Sequence, residues 1–466
     1  MKTKNWFEVS KKGLKSLQEG KPKHYIVREL VQNAFDENIT YCKTDLIYSN
    51  GKAQIRVIDD SQEGFRDLTD AFTLFKPTYK RKEPEKRGRF NVGEKQAIAL
   101  SDKAQISTTK GTIVFDKSGR KETKRKRDFG SEVILWVKMK KKDFNEMLET
   151  IEKYIPPANV RFIVNGKDQN HRKPIRTLEA SLETEIEENN VMRKVRRKTS
   201  ILVYRKMFDT TMLYEMGIPI CEIECQFDIS IQQKVPMGID RETISQRYLS
   251  DVFAEVLNET YDIIEKDNSS DLWIREGTKN PRIKKEAVKD IIHKRFGEKI
   301  VVANTLDPNS IDEAISNGFN VVYGSELSKK EWGNVKEYEL IKSSTELFGK
   351  SFASATPINP NENQIKVEKL AKKIAKRLLG IDLMVSFIKS EATCGADFGN
   401  NTLTFNVSRL GKHFWENPIS KEVISLILHE LGHLRGNHTE MSYHKCLTEM
   451  AGQLVIIALN EPEFFK

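Results

Sequence analysis

The sequence predicts a multidomain α+β protein, and three observations carry that prediction. Segments that alternate with period two, such as residues 53–60 and 401–407, interleave with segments of helical period, such as residues 28–36 and 423–434. The 466 residues suffice for three or four domains, each able to bury its own core. Residues 351–363, rich in Pro, Asn and Ser, read as a linker ahead of the last domain.

The first helix of interest is Arg28-Glu29-Leu30-Val31-Gln32-Asn33-Ala34-Phe35-Asp36. Glu29, Asn33 and Asp36 stand at i, i+4 and i+7, so three polar side chains share one face. Burying such a face is costly unless each group finds a partner. A carboxylate, an amide oxygen and a second carboxylate side by side suit a water, a magnesium ion and a phosphate chain. Residues 53–60 then alternate as a strand ending in Asp59-Asp60, with Gly64 shortly after. The alternation groups Asp59 with Ile55 and Val57, which favours Asp59 over Asp60 as the inward carboxylate. Next, Arg87-Gly88-Arg89-Phe90-Asn91-Val92-Gly93-Glu94-Lys95 is a glycine-punctuated loop running into the apolar helix 96–100. Glycines let backbone N–H groups approach an anion, and a helix start adds a favourable dipole. Finally, residues 129–135 read as a strand entered through the small hydroxyl of Ser131.

These four pieces, in this order, resemble the GHKL ATPase superfamily of gyrase B subunits, ninety-kilodalton heat-shock chaperones, histidine kinases and mismatch-repair ATPases. The resemblance implies an α/β sandwich (the Bergerat fold) over residues 1–140 that binds ATP and Mg²⁺. It implies Glu29 as the base that activates water, Asn33 as the Mg²⁺ ligand, and Asp36 as support for that face and the phosphate-site waters. Asp59 would accept from the adenine amino group, with Ser131 completing that pocket through a water. Gly64, Gly88, Gly93 and Lys95 belong to the cofactor-binding set, the glycines of the loop shaping a lid around the phosphates. The acidic loop lacks one of the family's glycines, and Asn91 stands where a glycine is common; Asn tolerates the left-handed conformation better than most residues.

Residues 141–265 hold further strands at 160–164, 201–204 and 218–230 and a closing helix at 248–264. In GHKL proteins a transducer domain sits here and returns one basic residue to the γ-phosphate. Lys234 resembles that element, with Arg241 as the alternative. Residues 266–345 read as a small α/β piece: strand 299–303, helix 311–318, strand 320–323. No catalytic constellation is visible there, so a spacer or docking role is the default.

Residues 346–466 contain the second motif. Residues 423–434 form an apolar helix carrying His429-Glu430-Leu431-Gly432-His433. Spacing of i, i+4 puts both imidazoles on one side, able to grip one Zn²⁺, with Glu430 beside them to deprotonate a bound water. The motif resembles the zincin metallopeptidases, which implies a peptide or protein substrate and a third zinc ligand. Gly436 can end the helix and swing His438 back towards the metal; Glu449 and His444 are the alternatives. In zincins a strand before the motif helix pairs with extended substrate, a role open to residues 401–407.

Composition sets limits. The chain is 38% hydrophobic and 31% charged, with mean hydropathy −0.54, which is globular in character. No apolar run approaches a membrane span, and residues 1–6 begin with charge but lead into no signal-like core. The 5 cysteines are scattered, which fits reduced thiols in a cytoplasmic protein. A net charge of +10 is gathered into clusters at residues 117–127, 138–142 and 193–198. Such clusters allow non-specific nucleic-acid contact, although a solvated hairpin tip and helix face is the preferred explanation. The reading as a whole is an ATP-driven clamp, pairing two chains when ATP binds, that gates a zinc peptidase.

Overall fold

The computed structural model describes residues 9–62, 64–65, 67–189, 191–238, 243–305, 307–349, 355–436, 438 and 440–465. Residues 1–6, Arg241 and most of the start of the linker, residues 351–354, lie outside the described residues. The architecture is mixed α and β with several sheets, divided into two compact units, Met1–Ile291 and Ile292–Lys466.

The first unit begins with α1 (Lys11–Glu19), capped by Ser10, and α2 (Tyr25–Phe35). Strands β1 (Tyr41–Ser49) and β2 (Lys52–Asp59) form a hairpin whose turn, Asn50-Gly51, has both residues at positive φ, as a tight two-residue turn requires. After α3 (Gly93–Leu100) come β3 (Lys103–Ser107), β4 (Thr112–Asp116), β5 (Gly119–Thr123) and β6 (Glu132–Lys138). Helix α4 (Lys141–Glu152) and strands β7 (Arg161–Val164) and β8 (Lys167–Asp168) complete an eight-stranded sheet of order β5-β4-β3-β6-β2-β1-β7-β8. Among the described residues of this sheet, β1 and β7 pair in parallel and the other neighbours pair antiparallel. The sheet therefore runs past residue 140: after α4 the chain returns through β7, whose Phe162 and Val164 join the core.

The apolar face of α2 (Val27, Leu30, Val31, Ala34) packs in one core with Ile55 and Val57 of β2, Leu135 and Val137 of β6 and Met147 of α4. Each of these side chains larger than alanine contributes roughly 1.5–3 kcal/mol through burial, so the opposite edge of α2 is held firmly in place.

A second sheet follows. The long hairpin β9 (Arg176–Glu188) and β10 (Val191–Arg205) joins β11 (Thr211–Glu215), β12 (Ile218–Ile223) and β13 (Phe227–Ile231) in the order β12-β11-β13-β10-β9. The single strand expected over 218–230 is thus two strands with a bend at 224–226. Helix α5 (Gln246–Thr260) is capped by Ser245, and α6 (Leu272–Thr278) docks on it through Trp273, edge-on to Phe253 and Phe227. Helix α7 (Lys285–Phe296) follows.

The second unit opens with a parallel β-α-β: β14 (Ile300–Val302), α8 (Pro308–Ser316) and β15 (Asn320–Val322). These coincide with the expected small α/β piece. Short helices α9 (Lys329–Glu337) and α10 (Ser344–Phe348) lead to a four-stranded sheet. Its strands are β16 (Thr356–Pro357), β17 (Met384–Lys389), β18 (Ala396–Gly399) and β19 (Thr402–Asn406), in the order β16-β17-β19-β18. Helix α11 (Glu362–Leu379) covers it, begun by an Asn361–Gln364 capping box and ended by Gly380 at φ 69°. After α12 (Val407–Leu410) come the motif helix α13 (Lys421–Gly432) and α14 (Met441–Asn460). Phe387, Phe405, Trp415, Ile427 and Leu431 join strands and helices in one core.

One expectation is overturned. Strand β19 is paired on both sides, parallel to β17 and antiparallel to β18, so its hydrogen bonds are already used. It has no free edge for an extended peptide; among the described strands beside the motif helix, that edge belongs to β18.

Candidate functional site

A cavity of about 340 Å³ opens beside α2, within the usual range of small-molecule pockets. Glu29, Asn33, Asp59, Gly64, Gly88, Gly93 and Ser131 all line it. These residues come from four separate stretches, brought together because α2 packs across β2 and β6. Glu29 is buried and accepts from Gln32 Nε2 at 2.7 Å. Gly93 is pressed against it: a Cβ there would overlap the Glu29 carboxylate. Gly88 similarly touches the Lys80 side chain, and Gly64 sits at φ 56°.

Asp59 ends β2 on its inward face, as the alternation predicts. Its Oδ1 accepts the amides of Ser61 (3.0 Å) and Ser131 (3.1 Å). Burial pushes its carboxyl up despite those bonds. Asp60 points elsewhere, bonded to Thr40 and Tyr41. The strand expected over 129–135 starts only at Glu132. Gly130, at φ 68°, turns the chain tightly over the Asp59 carbonyl, with no room for a Cβ, and so delivers the Ser131 amide. Asn91 adopts φ 53°, the left-handed conformation its residue type tolerates.

Three expected residues are not in the lining. Asp36 is buried behind the loop, its carboxylate accepting from Arg87 (2.7 Å) and from the Gly88 amide (3.0 Å). Burial would raise it, but the Arg87 guanidinium, with Lys80 beyond, holds its carboxyl below the usual range. Lys95 donates to Asn91 Oδ1 at 2.7 Å. Lys234 is fully buried, and its ammonium donates to the carbonyls of Lys80 (2.6 Å) and Glu83 (2.9 Å); burial, with Arg89 nearby, pushes it down to about 8. Each therefore ties down the loop that forms the cavity wall. Arg89 completes the clamp by pairing with Glu215 of β11 and donating to the Val235 carbonyl at 2.7 Å.

Residues that the sequence reading passed over also line the cavity: Lys76, Tyr79, Lys80, Arg89 and Glu94. The signal for two of them was the basic run 76–82 just before the glycine loop.

The second constellation lies in α13 and α14. Helix α13 ends at Gly432, a tight turn covers His433–Arg435, and Gly436 at φ 148° redirects the chain. His438 is thereby returned to the helix, its Nε2 3.0 Å from His429 Nε2. His429, His433 and His438 can each present a nitrogen within 4.8 Å of the others. Three imidazoles around a metal at roughly 2.0–2.1 Å stand about 3.3 Å apart, so the donor set fits a divalent ion such as zinc. Burial, together with the neighbouring imidazoles, pushes His429 and His438 down to about 4, which leaves their lone pairs available. Glu430 is buried, and burial with Asp397 nearby raises it to about 8.

Of the alternative ligands, Glu449 is exposed and 3.7 Å from Lys445, and His444 lies along the adjoining cleft. That cleft, about 510 Å³, is lined by Ser425, Leu428, His429, His438, Tyr443, His444 and Leu447. Ala303, Asn304 and Thr305, just after β14, form another part of its wall, so the small α/β piece contributes directly to this site.

Among the described residues, no helix is long and apolar enough to cross a membrane, and the five cysteines are free. No protein-family model matches the sequence, and no curated protein sequence matches it. Among solved structures, the ATPase region of Saccharomyces cerevisiae topoisomerase II aligns at 12% identity and a TM-score of 0.29. That alignment covers 42% of this chain and 62% of that one, so the chain spans under two thirds of it. The same region bound to ICRF-187 (dexrazoxane) aligns at 11% identity and a TM-score of 0.31, over 53% of this chain and 71% of that one. Likeness at this level fixes neither fold nor activity.

Proposed function

We propose that the chain is an ATP-dependent conformational enzyme of the GHKL type that also carries a zinc-dependent site for peptide hydrolysis. One observation carries the reading: Glu29, Asn33, Asp59, Gly64, Gly88, Gly93 and Ser131, drawn from four distant stretches, line a single cavity. In this reading the ATP-binding part extends to the last strand of the first sheet, Lys167–Asp168. Residues 176–260 act as the transducer, residues 300–348 form a small α/β piece whose residues 303–305 border the histidine cleft, and the zincin-like part follows.

In the nucleotide pocket, Asp59 accepts from the adenine amino group and Ser131 completes that end. The amides of the Gly88–Gly93 loop approach the phosphates, and Asn33 supplies the amide oxygen for a magnesium ion, which neutralises phosphate charge. Glu29 orients and deprotonates the attacking water. Lys76 and Lys80 also line the wall, where they pair with Asp67 and Asp70 and with Glu37. Asp36, Lys95 and Lys234 act one step back by holding the loop.

At the second site His429, His433 and His438 would hold a zinc ion. Bound there, the ion supplies Lewis acidity to a water and a carbonyl oxygen. Glu430, one residue from the first ligand, would stand beside such a water as its proton acceptor and would return the proton to the leaving amine. Strand β18, which contacts α13 and the turn after it and ends the sheet order, offers its outer edge to an extended peptide.

Two assays test the reading. Calorimetry should show ATP binding to wild type, with Asp59→Asn weakened at least ~10-fold through the lost acceptor and Glu29→Ala binding but not hydrolysing. Metal analysis should show zinc in wild type and in Glu430→Gln, with cleavage lost in the latter, and little zinc in His429→Ala. No heat with ATP and no zinc in purified protein would end the proposal.

A second reading keeps the ATPase but makes the metal structural, in a DNA-associated or chaperone-like protein. It is favoured by β5 and the residues after it, where Lys121, Lys124, Arg125 and Lys126 are exposed. DNA binding that weakens steeply with salt, and is lost when residues 124–127 are neutralised, would support it.

A further inference from the structure

Tyr443 is only 2% exposed, and its phenol oxygen lies 2.6 Å from His429 Nδ1. The same oxygen is 3.3 Å from the carbonyl oxygen of His429. A phenol has one proton to donate, and a carbonyl can only accept. With the O–H directed to the carbonyl, a phenol lone pair faces the ring, and the proton between them belongs to Nδ1. His429 then carries hydrogen on Nδ1 and a bare lone pair on Nε2, the atom that meets His438 Nε2 at 3.0 Å. His433 follows the same logic, for its Nδ1 lies 3.3 Å from the Gly436 carbonyl and must donate to it. Two of the three imidazoles are thus turned so that Nε2 points into the cluster.

The Tyr443 ring is fixed as firmly as its hydroxyl. It lies 5.0 Å from the His433 ring and 5.2 Å from the His438 ring, centre to centre. It also rests on Gly432, where a Cβ would overlap it. The glycine inside the motif therefore makes room for the tyrosine.

We propose that Tyr443 is a positioning residue that locks His429 in its Nδ1–H tautomer and aims Nε2 at a divalent metal. Groups that hold a ligand histidine through its second nitrogen are typically worth ~10- to 100-fold in metal affinity. The proposal rests on reading the triad as a metal site, but its first test does not need metal.

The full chain labelled with ¹⁵N-histidine, metal-free, is examined by long-range ¹H–¹⁵N NMR, with His429→Gln used to assign the ring. Wild type should show His429 protonated on Nδ1 and bare on Nε2, and Tyr443→Phe should shift the ring towards the other tautomer. Competition with a chromogenic chelator should then show zinc bound ~10- to 100-fold more weakly by Tyr443→Phe, with an unchanged melting midpoint for the metal-free protein. A wild-type His429 protonated on Nε2 overturns the proposal. So does a Tyr443→Phe variant with an unchanged tautomer and zinc affinity within about twofold of wild type. If Tyr443→Phe does not fold, the wild-type tautomer alone decides. If the wild-type protein binds no zinc while the Nδ1–H tautomer is present, the metal reading fails and the orienting role of Tyr443 stands.

Discussion

Asp36 stands just past the last turn of α2, buried, with its two oxygens on Arg87 and the Gly88 amide. Helical spacing alone groups it with Glu29 and Asn33, and the family resemblance implies that it supports that face and the phosphate-site waters. Its partners lie some fifty residues further on, where no local pattern points to them. Burial raises this carboxyl and the nearby guanidinium more than reverses that, so its native value is below the ordinary 3.8. As pH falls, the unfolded chain takes up the proton first, so this contribution is present above about pH 4 and lost below it. Asp36→Asn should therefore cost ~3–5 kcal/mol near neutrality, because it leaves the Arg87 charge buried and unpaired. Urea unfolding at pH 6 and pH 3 checks this, and the gap between variant and wild type should narrow at the lower pH.

At the scale of elements, the decisive contact is the start of α3 against α2. Glycine at position 93 was read as freedom for backbone N–H groups near an anion. The structure adds a second requirement, since any side chain there collides with Glu29. Gly93→Ala should push the loop off the helix at a cost of ~1–3 kcal/mol and weaken ATP binding at least ~10-fold. Calorimetry and a thermal melt on the same sample separate the two effects. Elsewhere the expected elements were found where periodicity was strong: α2, β2, α13 and the β14-α8-β15 unit. They were misjudged where pairing decides. Alternation identified β19 as a strand but could not say that both its edges are occupied. The long β9–β10 hairpin was missed over most of its length: β9 does alternate, with Leu178, Ala180 and Leu182 buried, but its other face is polar or charged, and residues 191–198 of β10 are largely exposed and basic.

For the whole molecule the prediction concerns coupling. If nucleotide closure gates the zinc site, peptide cleavage should differ by several-fold between ATP, ADP and no nucleotide, and Glu29→Ala should lose the cycling that hydrolysis drives. Equal cleavage rates for Glu29→Ala and wild type under all three conditions would leave two independent activities on one chain. What the sequence determined by itself was chemistry: which residue types stand at helical or strand spacing, and hence the carboxylate and amide of α2, the inward Asp59 and the paired imidazoles of the motif helix. Those follow from periodicities of 3.6 and 2, which are local. Only the tertiary structure decided that His438 returns to the motif helix, that Asp36, Lys95 and Lys234 brace the loop, and that residues 303–305 wall the cleft beside the histidine cluster. Those outcomes depend on which distant partner meets each buried polar group, and that is settled by packing.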